Sequence, residues 1–125
     1  MAGVTLDAGG LIALDRSDRK VLVLLARARE TGSRITVPAT ALAQAIRRPE
    51  RQARLARLVR QPNTDVVALD RVDATNVGRL LSSSNTSDIA DAHVVICARR
   101  ANQQTVTSDP EDLRALDSTI PLVTI

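Results

Sequence analysis

Aspartates occupy several positions in this sequence at which a carboxylate suggests chemistry. Asp7 directly follows the apolar stretch VTL, where an unpaired carboxylate is costly to bury. Asp88 and Asp91 stand one helical turn apart within TSDIADAHVVICARR, so both would lie on one face of a helix. Asp109 and Asp112 come shortly after the later stretch TVT. The spacing indicates an acidic cluster built from three separate segments.

Carboxylates brought together in this way need a counter-ion. Two of them about 5 Å apart repel by roughly 3 kcal/mol at an effective dielectric constant of 20. Oxygen ligands without His or Cys suit Mg²⁺ or Mn²⁺ and argue against Zn²⁺. Such an ion activates water and neutralises charge on a phosphate, which suits hydrolysis of a phosphodiester. The alternative is that Asp88 and Asp109 only cap helices, a structural role that contributes about 0.5–1 kcal/mol to stability.

Short apolar stretches rich in β-branched residues are expected to form the strands that position these acids. They are Val4–Leu6, Ile35–Val37, Val66–Leu69, Thr105–Thr107 and the closing IPLVTI. Helical segments separate them, which is typical of an α/β fold with a central, mainly parallel sheet of four to five strands and helices on both faces. We expect a single domain over residues 1–125, with the first strand central and beside the fourth. Ligands in such folds bind beyond the carboxyl ends of the strands, where the acids fall.

The helical segments have recognisable starts and stops. AGGLIALD and RKVLVLLARARETG come first, the second with Gly32 as its stop. The next two predicted helices are ATALAQAIRR and PERQARLARLVR. A further helix, RVDATNVGRLLSSS, ends in a polar run. Residues 88–100 are expected to form the next helix with Ser87 as its N-cap, and Ser108 or Asp109 is expected to cap PEDLRAL.

The composition narrows the class of protein. The 125 residues include no aromatic side chain and one cysteine, which disfavours modules that stack bases on aromatic rings and rules out an internal disulfide. No apolar run approaches the roughly 18 residues that span a membrane, so a cytoplasmic protein without a membrane segment is expected. Residues 16–60 carry eleven Arg and one Lys against three acids, whereas residues 61–125 carry nine acids and five Arg. A basic surface beside an acidic cluster indicates binding to a polyanion.

The single histidine is not expected to belong to the acidic cluster. His93 lies two residues after Asp91, about 200° around a helix, and so faces away from it. We expect a packing or surface histidine. Cys97 lies four residues further on, on the same side as His93, where a buried inert thiol is expected.

The ordered motifs resemble those of the PIN-domain nucleases, and within them the VapC-type toxins of bacterial toxin–antitoxin pairs. The resemblance covers nearly the whole chain and rests on TLDAGGLIAL, VPATALAQAIR, TSDIADAHVVICARR and VTSDPEDLRAL. It implies a Mg²⁺- or Mn²⁺-dependent endoribonuclease that cleaves RNA and is neutralised by a VapB-like antitoxin. A homodimer or a toxin–antitoxin hetero-oligomer is the assembly that it implies.

The resemblance also assigns roles to the acids. It makes Asp7, Asp91 and Asp109 the catalytic, metal-holding residues. Asp112 is then a further metal ligand or an outer-sphere acid. Asp88 is an extra acid that either joins this cage or caps its helix.

Gln44 departs from the family pattern, which usually has Glu at the matching position of ALAQAIR. An amide can coordinate a metal or hold a bound water, but it supplies no charge. The protein is therefore either a nuclease with weaker metal binding or a catalytically weak or inactive PIN-like binding protein; a plain surface role for Gln44 is the third interpretation. Ser108 either orients a carboxylate or phosphate or caps the last helix.

Arginines follow helical spacing along RRPERQARLAR. They are Arg47, Arg51, Arg54 and, one turn later, Arg57. Guanidinium groups suit either RNA phosphates or an acidic segment of an antitoxin. The alternative is a solvated helix face.

Overall fold

A parallel sheet forms the centre of the protein. The structure is a computed structural model and describes residues 3–125. Its strands are β1 (Val4–Leu6), β2 (Ile35–Pro38), β3 (Thr64–Val67), β4 (Gln104–Thr107) and β5 (Leu122–Thr124). Neighbouring strands run parallel in the order β3-β2-β1-β4-β5. This arrangement confirms the expected α/β class, with β1 central and paired to β4.

Helices connect the strands along the chain. They are α1 (Ala8–Asp15), α2 (Arg19–Thr31), α3 (Ala39–Ala45), α4 (Ala53–Val59), α5 (Arg71–Ser84), α6 (Ile89–Ala101) and α7 (Pro110–Leu116). A 3₁₀ turn, Pro49–Arg51, separates α3 from α4. No helix within residues 3–125 combines the length and the apolar character needed to cross a bilayer.

Both faces of the sheet are covered. Every residue of β1 and β2 is buried, and consecutive strand residues point to opposite faces. α6 packs against β1, β2 and β4, and α1 packs against β1 and β4. A continuously apolar strand pattern is what a sheet covered on both faces requires, so the expected layering is confirmed.

Aliphatic side chains fill the core, as the absence of aromatic residues requires. Leu6 and Ile35 are among the largest fully buried side chains. The backbones of α1 and β4 also approach each other closely. A methyl group added at Gly10 would come 2.8 Å from the carbonyl oxygen of Val106. α1 therefore lies directly on β4, and this contact places Asp7, which precedes α1, beside the end of β4.

Aspartates cap three of the longer helices. Asp18 and Asp70 cap α2 and α5 with their carboxylates. Asp88 caps α6, because its Oδ1 accepts the backbone N–H of Asp91 at 2.9 Å. The prediction of Ser87 as N-cap is therefore wrong by one residue. The ionised carboxylate also suits the positive end of the helix dipole, which a serine hydroxyl does not.

The third strand begins two residues earlier than predicted. It spans Thr64–Val67 rather than Val66–Leu69, because pairing with β2 sets its register and places Thr64 opposite Ile35. As an edge strand it is only partly covered, so apolar residues do not mark its limits. Arg34 forms an ion pair with Asp65 at its start.

The predicted helices on either side of Pro49 are shorter than expected. α3 ends at Ala45, because Pro49 cannot continue a helix and restricts the residue before it. The buried Gln52 side chain satisfies the interrupted backbone. Its oxygen accepts the N–H groups of Arg47 and Arg48 at 3.0 and 3.1 Å. Its amide nitrogen donates to the Ala45 carbonyl at 3.0 Å.

Candidate active site

A cleft of about 620 Å³ opens at the carboxyl ends of β1 and β4. The strand order reverses between these two strands, which is where ligands bind in open parallel sheets. The cleft collects the predicted acids, namely Asp7, Asp88, Asp91, Asp109 and Asp112. Gln44, Ser108 and Arg47 line it as well.

Asp7 is the most deeply buried acid of the cleft, with 4% of its surface exposed. It follows β1 and caps α1, because its Oδ1 accepts the Gly10 N–H at 2.8 Å. The Thr107 hydroxyl at the end of β4 donates to the same carboxylate. Burial nevertheless raises the pKa of Asp7 above its ordinary value, and the charge of Asp109 adds to the rise. The carboxylate is thus fixed in position, but it forms no ion pair with any side chain of residues 3–125.

Asp91 enters the cleft from the first turn of α6 and is half-buried. Its pKa is raised to about 7. The causes, in decreasing order, are burial and the charges of Asp88, Asp7, Asp112 and Asp109. Every predicted acid of the cleft therefore acts electrostatically on this one carboxyl group.

The segment after β4 supplies the remaining acids. Asp109 occupies the N-cap position of α7, yet its carboxylate makes no capping bond and stays exposed. Its backbone N–H donates to the Thr107 hydroxyl at 2.9 Å. Asp112, in the first turn of α7, is also exposed. Ser108 lies so close to α1 that a methyl group added at Gly9 would overlap its hydroxyl.

The other predicted polar residues lie in three places. Gln44 on α3 and Arg47 just beyond it line the acidic cleft. Arg51 lies in the 3₁₀ turn, and Arg54 and Arg57 on α4 line a different groove. The prediction of one continuous helical stripe is wrong, because the chain breaks between α3 and α4. Of these arginines, Arg47 is the one that reaches the acids.

The second groove lies between α2 and α4 and has a volume of about 320 Å³. Leucines form its apolar part, namely Leu14, Leu22, Leu25 and Leu58. Arg29, Arg54 and Arg57 line it too. We call it the α2–α4 groove.

Arg16 is a cleft residue that the motifs did not reveal. It directly follows α1 and lines the cleft together with Ala8 and Ile12 of that helix. These three positions recur every four residues, so they share one face. Counting along α1 from Ala8 would have identified Arg16.

His93 and Cys97 lie outside the cleft lining, as predicted. His93 is completely buried and Cys97 is 2% exposed. Burial raises the pKa of the Cys97 thiol to about 11. Without a metal beside it, the thiol therefore stays protonated at neutral pH, which fits the expectation of an unreactive group.

The donor set of the cleft fits a hard divalent cation. Its candidate ligands are carboxylate oxygens and one amide, the atoms that Mg²⁺ and Mn²⁺ prefer. Within residues 3–125, one group of three acidic, His or Cys side chains brings its ligand atoms within 4.8 Å of one another. That group lies outside the cleft. No three cleft carboxylates among the described residues therefore lie as close together as that group. Holding one ion with three of them would require their side chains to move closer together.

Solved structures share this fold over almost the whole chain. The structure of FitAB bound to an IR36 DNA fragment matches with a TM-score of 0.65 and 13% identity, covering 97% of this chain and 94% of that one. FitAcB from Neisseria gonorrhoeae matches with a TM-score of 0.66 and 14% identity, covering 97% and 96%. VapBC2 from Rickettsia felis, bound to a DNA fragment from its promoter, matches with a TM-score of 0.69 and 11% identity, covering 98% of both chains. No protein-family model and no curated protein matches the sequence.

The chain therefore has the fold of PIN-domain, VapC-type toxins, which confirms the resemblance seen in the sequence motifs. At 11–14% identity the similarity establishes the fold alone.

Proposed function

We propose that the protein is a Mg²⁺- or Mn²⁺-dependent endoribonuclease toxin that hydrolyses RNA phosphodiester bonds. The observation that carries the proposal is the convergence of Asp7, Asp91, Asp109 and Asp112 in one cleft. Their mutual repulsion helps to raise the pKa of Asp91 to about 7, and a divalent cation would relieve it. The similar structures are of toxin–antitoxin pairs, which supports the same class.

Three acids would hold the cation, namely Asp7, Asp91 and Asp109. Asp112 would serve as a further ligand or an outer-sphere acid. Asp88 already accepts the Asp91 N–H through one oxygen and has a second oxygen to offer. The bound cation would supply Lewis-acid activation of water and neutralise charge that develops on the phosphate.

Other residues of the chain would bind and orient the RNA. Arg16 and Arg47 line the cleft beside the acids, and their guanidinium groups suit the phosphates next to the cleaved bond. The Gln44 amide can donate to a phosphate oxygen or accept from water. Ser108 is placed beside α1 to orient a carboxylate or a phosphate.

Cleavage of RNA by the wild type and by Asp7→Asn tests the proposal. An asparagine oxygen can still accept the Gly10 N–H, so the cap of α1 and the fold should survive while the charge is lost. Asp70→Asn, which changes the cap of α5 outside the cleft, is the matched control. We expect Mg²⁺- or Mn²⁺-dependent cleavage by the wild type and Asp70→Asn and none by Asp7→Asn. Equal cleavage by all three would contradict the site assignment.

A PIN-like binding protein without catalysis is the second candidate. Gln44 favours it, because an amide lines the cleft where the family has an acid. Gln44→Glu should tighten Mn²⁺ binding and accelerate cleavage if the protein is an enzyme with a weakened site. Gln104→Glu, at the amino end of β4, makes the same change away from the cleft. Tighter binding without any cleavage, or no Mn²⁺ binding by the wild type at millimolar metal, would favour the binding protein.

We also propose a cytoplasmic location and a VapB-like antitoxin as partner, in a homodimer or a toxin–antitoxin hetero-oligomer. The α2–α4 groove supports an antitoxin contact, because leucines and arginines suit a segment with both apolar and acidic side chains. A small reading frame directly upstream would supply the candidate. Its product should copurify with the wild type and be released by Arg54→Glu together with Arg57→Glu. Retention by the double variant would exclude the α2–α4 groove as the contact.

A further inference from the structure

A compact group of metal-ligating side chains lies between α5 and α6. Asp73 comes from α5, and His93 and Cys97 come from α6. One ligand atom from each residue lies within 4.8 Å of the other two. The three residues are at most 2% exposed, and the lining of the acidic cleft does not include them. The group is thus buried and separate from the proposed nuclease site.

His93 directs an unsatisfied nitrogen into this group. His93 Nδ1 lies 2.7 Å from the Thr40 hydroxyl on α3, and in the tautomer that leaves Nε2 free it donates its hydrogen bond to this oxygen. Nε2 is buried without a well-aligned hydrogen bond in residues 3–125; Asp73 Oδ2 lies 3.4 Å away, and this contact with His93 helps Arg100 to lower the pKa of Asp73. Histidines that bind metal are held in the same way, with a hydrogen bond on one nitrogen and the ion on the other.

We propose that Asp73, His93 and Cys97 bind Zn²⁺ at a site distinct from the acidic cleft. Carboxylate, imidazole and thiolate are donors that zinc accepts in a tetrahedral shell, and three protein ligands leave the fourth position to water. The thiolate disfavours Mg²⁺, which prefers oxygen. Nitrogen and oxygen ligands of a tetrahedral zinc ion lie about 3.4 Å apart. That spacing is already present between His93 Nε2 and Asp73 Oδ2.

Arg100 supplies the positive charge that zinc would replace. Its guanidinium donates to both carboxylate oxygens of Asp73, at 2.8 and 2.9 Å, and holds the pKa of Asp73 below its usual range. The Arg100 side chain is 54% exposed, so it can turn into solvent without burying an unpaired charge. On binding, the Cys97 thiol would release its proton to water. The thiolate and the Asp73 carboxylate would then balance the two charges of the ion.

A zinc ion at this position would tie α5 to α6 from within. The Thr40 hydroxyl extends the link to α3, the helix that carries Gln44. Because the site is buried, we expect it to stabilise the fold rather than to contact RNA. Zn²⁺ should therefore raise the melting temperature of the wild type and also that of the cleft variant Asp91→Asn.

Titration of the full chain with Co²⁺, in excess Mg²⁺, tests the ligands directly. The wild type should develop a thiolate-to-cobalt charge-transfer band that Zn²⁺ abolishes. Cys97→Ser should lose the band, and Asp91→Asn should keep it. Arg100→Gln removes the competing guanidinium and should tighten Co²⁺ binding roughly tenfold, because the ion no longer has to break two charge-assisted hydrogen bonds to Asp73.

Several results would overturn the zinc site. They are the absence of the band in the wild type, its persistence in Cys97→Ser, its loss in Asp91→Asn, and unchanged or weaker Co²⁺ binding by Arg100→Gln. The wild type and Arg100→Gln decide the question even if Cys97→Ser does not fold, which circular dichroism would show. The nuclease assay uses different residues and a different metal, so either proposal can fail alone.

Discussion

Replacing Asp91 by Asn should stabilise the metal-free protein and remove its response to metal. Burial, followed by repulsion from the neighbouring acids, raises the pKa of Asp91 to about 7. A carboxyl group with a raised pKa binds more protons in the folded than in the unfolded state, here between about pH 4 and pH 7. The stability of the wild type should therefore fall as the pH rises through this window, and that of Asp91→Asn should fall less.

The size of the gain follows from three effects. A rise from 3.8 to about 7 would correspond to about 4 kcal/mol for a fully buried group. Asp91 is only half-buried, and solvent screening reduces this to roughly 1–2 kcal/mol. The variant also loses the interaction of the charge with the α6 dipole, roughly 0.3–1 kcal/mol. The net gain is about 1 kcal/mol, or about 4 °C in Tm for a chain of this length.

Thermal melts near pH 7.5, in chelator and then with Mn²⁺, provide the assay. Mn²⁺ at a hundredfold excess over its Kd should stabilise the wild type by roughly 2.7 kcal/mol and Asp91→Asn by much less. Glu50→Gln, which neutralises an exposed acid in the 3₁₀ turn, is the control and should stay within about 0.5 kcal/mol of the wild type. The electrostatic reasoning is wrong if metal-free Asp91→Asn melts below the wild type. It is also wrong if the wild type is as stable near pH 7.5 as near pH 5.

Three further substitutions test other parts of the structure. Gly9→Ala should slow RNA cleavage, because its methyl group would make the Ser108 hydroxyl rotate away and would crowd Asp7 Oδ1 at 3.3 Å. Gly78→Ala, which meets open space on α5, should leave cleavage intact and add about 0.5–1 kcal/mol of stability. Gln52→Ala should lower the unfolding free energy in urea by roughly 2–3 kcal/mol, because it leaves three backbone groups without their hydrogen-bond partner. A loss below about 0.5 kcal/mol would contradict that role. Asp88→Asn should keep the cap of α6 and the wild-type Tm but weaken Mn²⁺ binding by about 1 kcal/mol, or fivefold, in calorimetry. An unchanged affinity would assign Asp88 to capping alone.

Elements covered on both faces could be predicted closely from the sequence, whereas partly exposed ones could not. β1 spans Val4–Leu6 as predicted, because a strand covered on both faces must be apolar throughout. β3 lies at the edge, and its register depends on pairing with β2, which no local pattern encodes. The break after Ala45 depends similarly on Gln52, whose side chain reaches back seven residues. Pro49 indicates the break in the sequence. The buried Gln52 amide, which satisfies the backbone groups at the break, has no recognisable sequence pattern.

The acids of the cleft could be located in advance because they conflict with their local surroundings. Asp91 lies inside an otherwise apolar helix, and Asp7 ends a buried strand. No local feature distinguishes Arg16, since an arginine after a helix is ordinary. The sequence motifs therefore did not identify it. The contact of Asp73 with Arg100 and His93 was missed for another reason. It joins α5 to α6 across the fold, and only the packing of these helices brings the residues together.

Helix N-terminal positions and proposed ligand positions coincide in this cleft for a geometric reason. α1 starts after Asp7, α6 after Asp88 and α7 after Asp109, and all three aspartates line the cleft. Each helix N-terminus carries about half a positive charge from its unpaired N–H groups, so the fold gathers partial positive charge where the carboxylates meet. An aspartate at such a position can cap a helix and face the cleft at once, as Asp7 does, and residue type alone cannot separate capping from the proposed ligand role. Asparagine separates them, because it retains the capping oxygen and removes the charge. Any loss of metal binding by a folded asparagine variant would therefore report the ligand role and not the capping role.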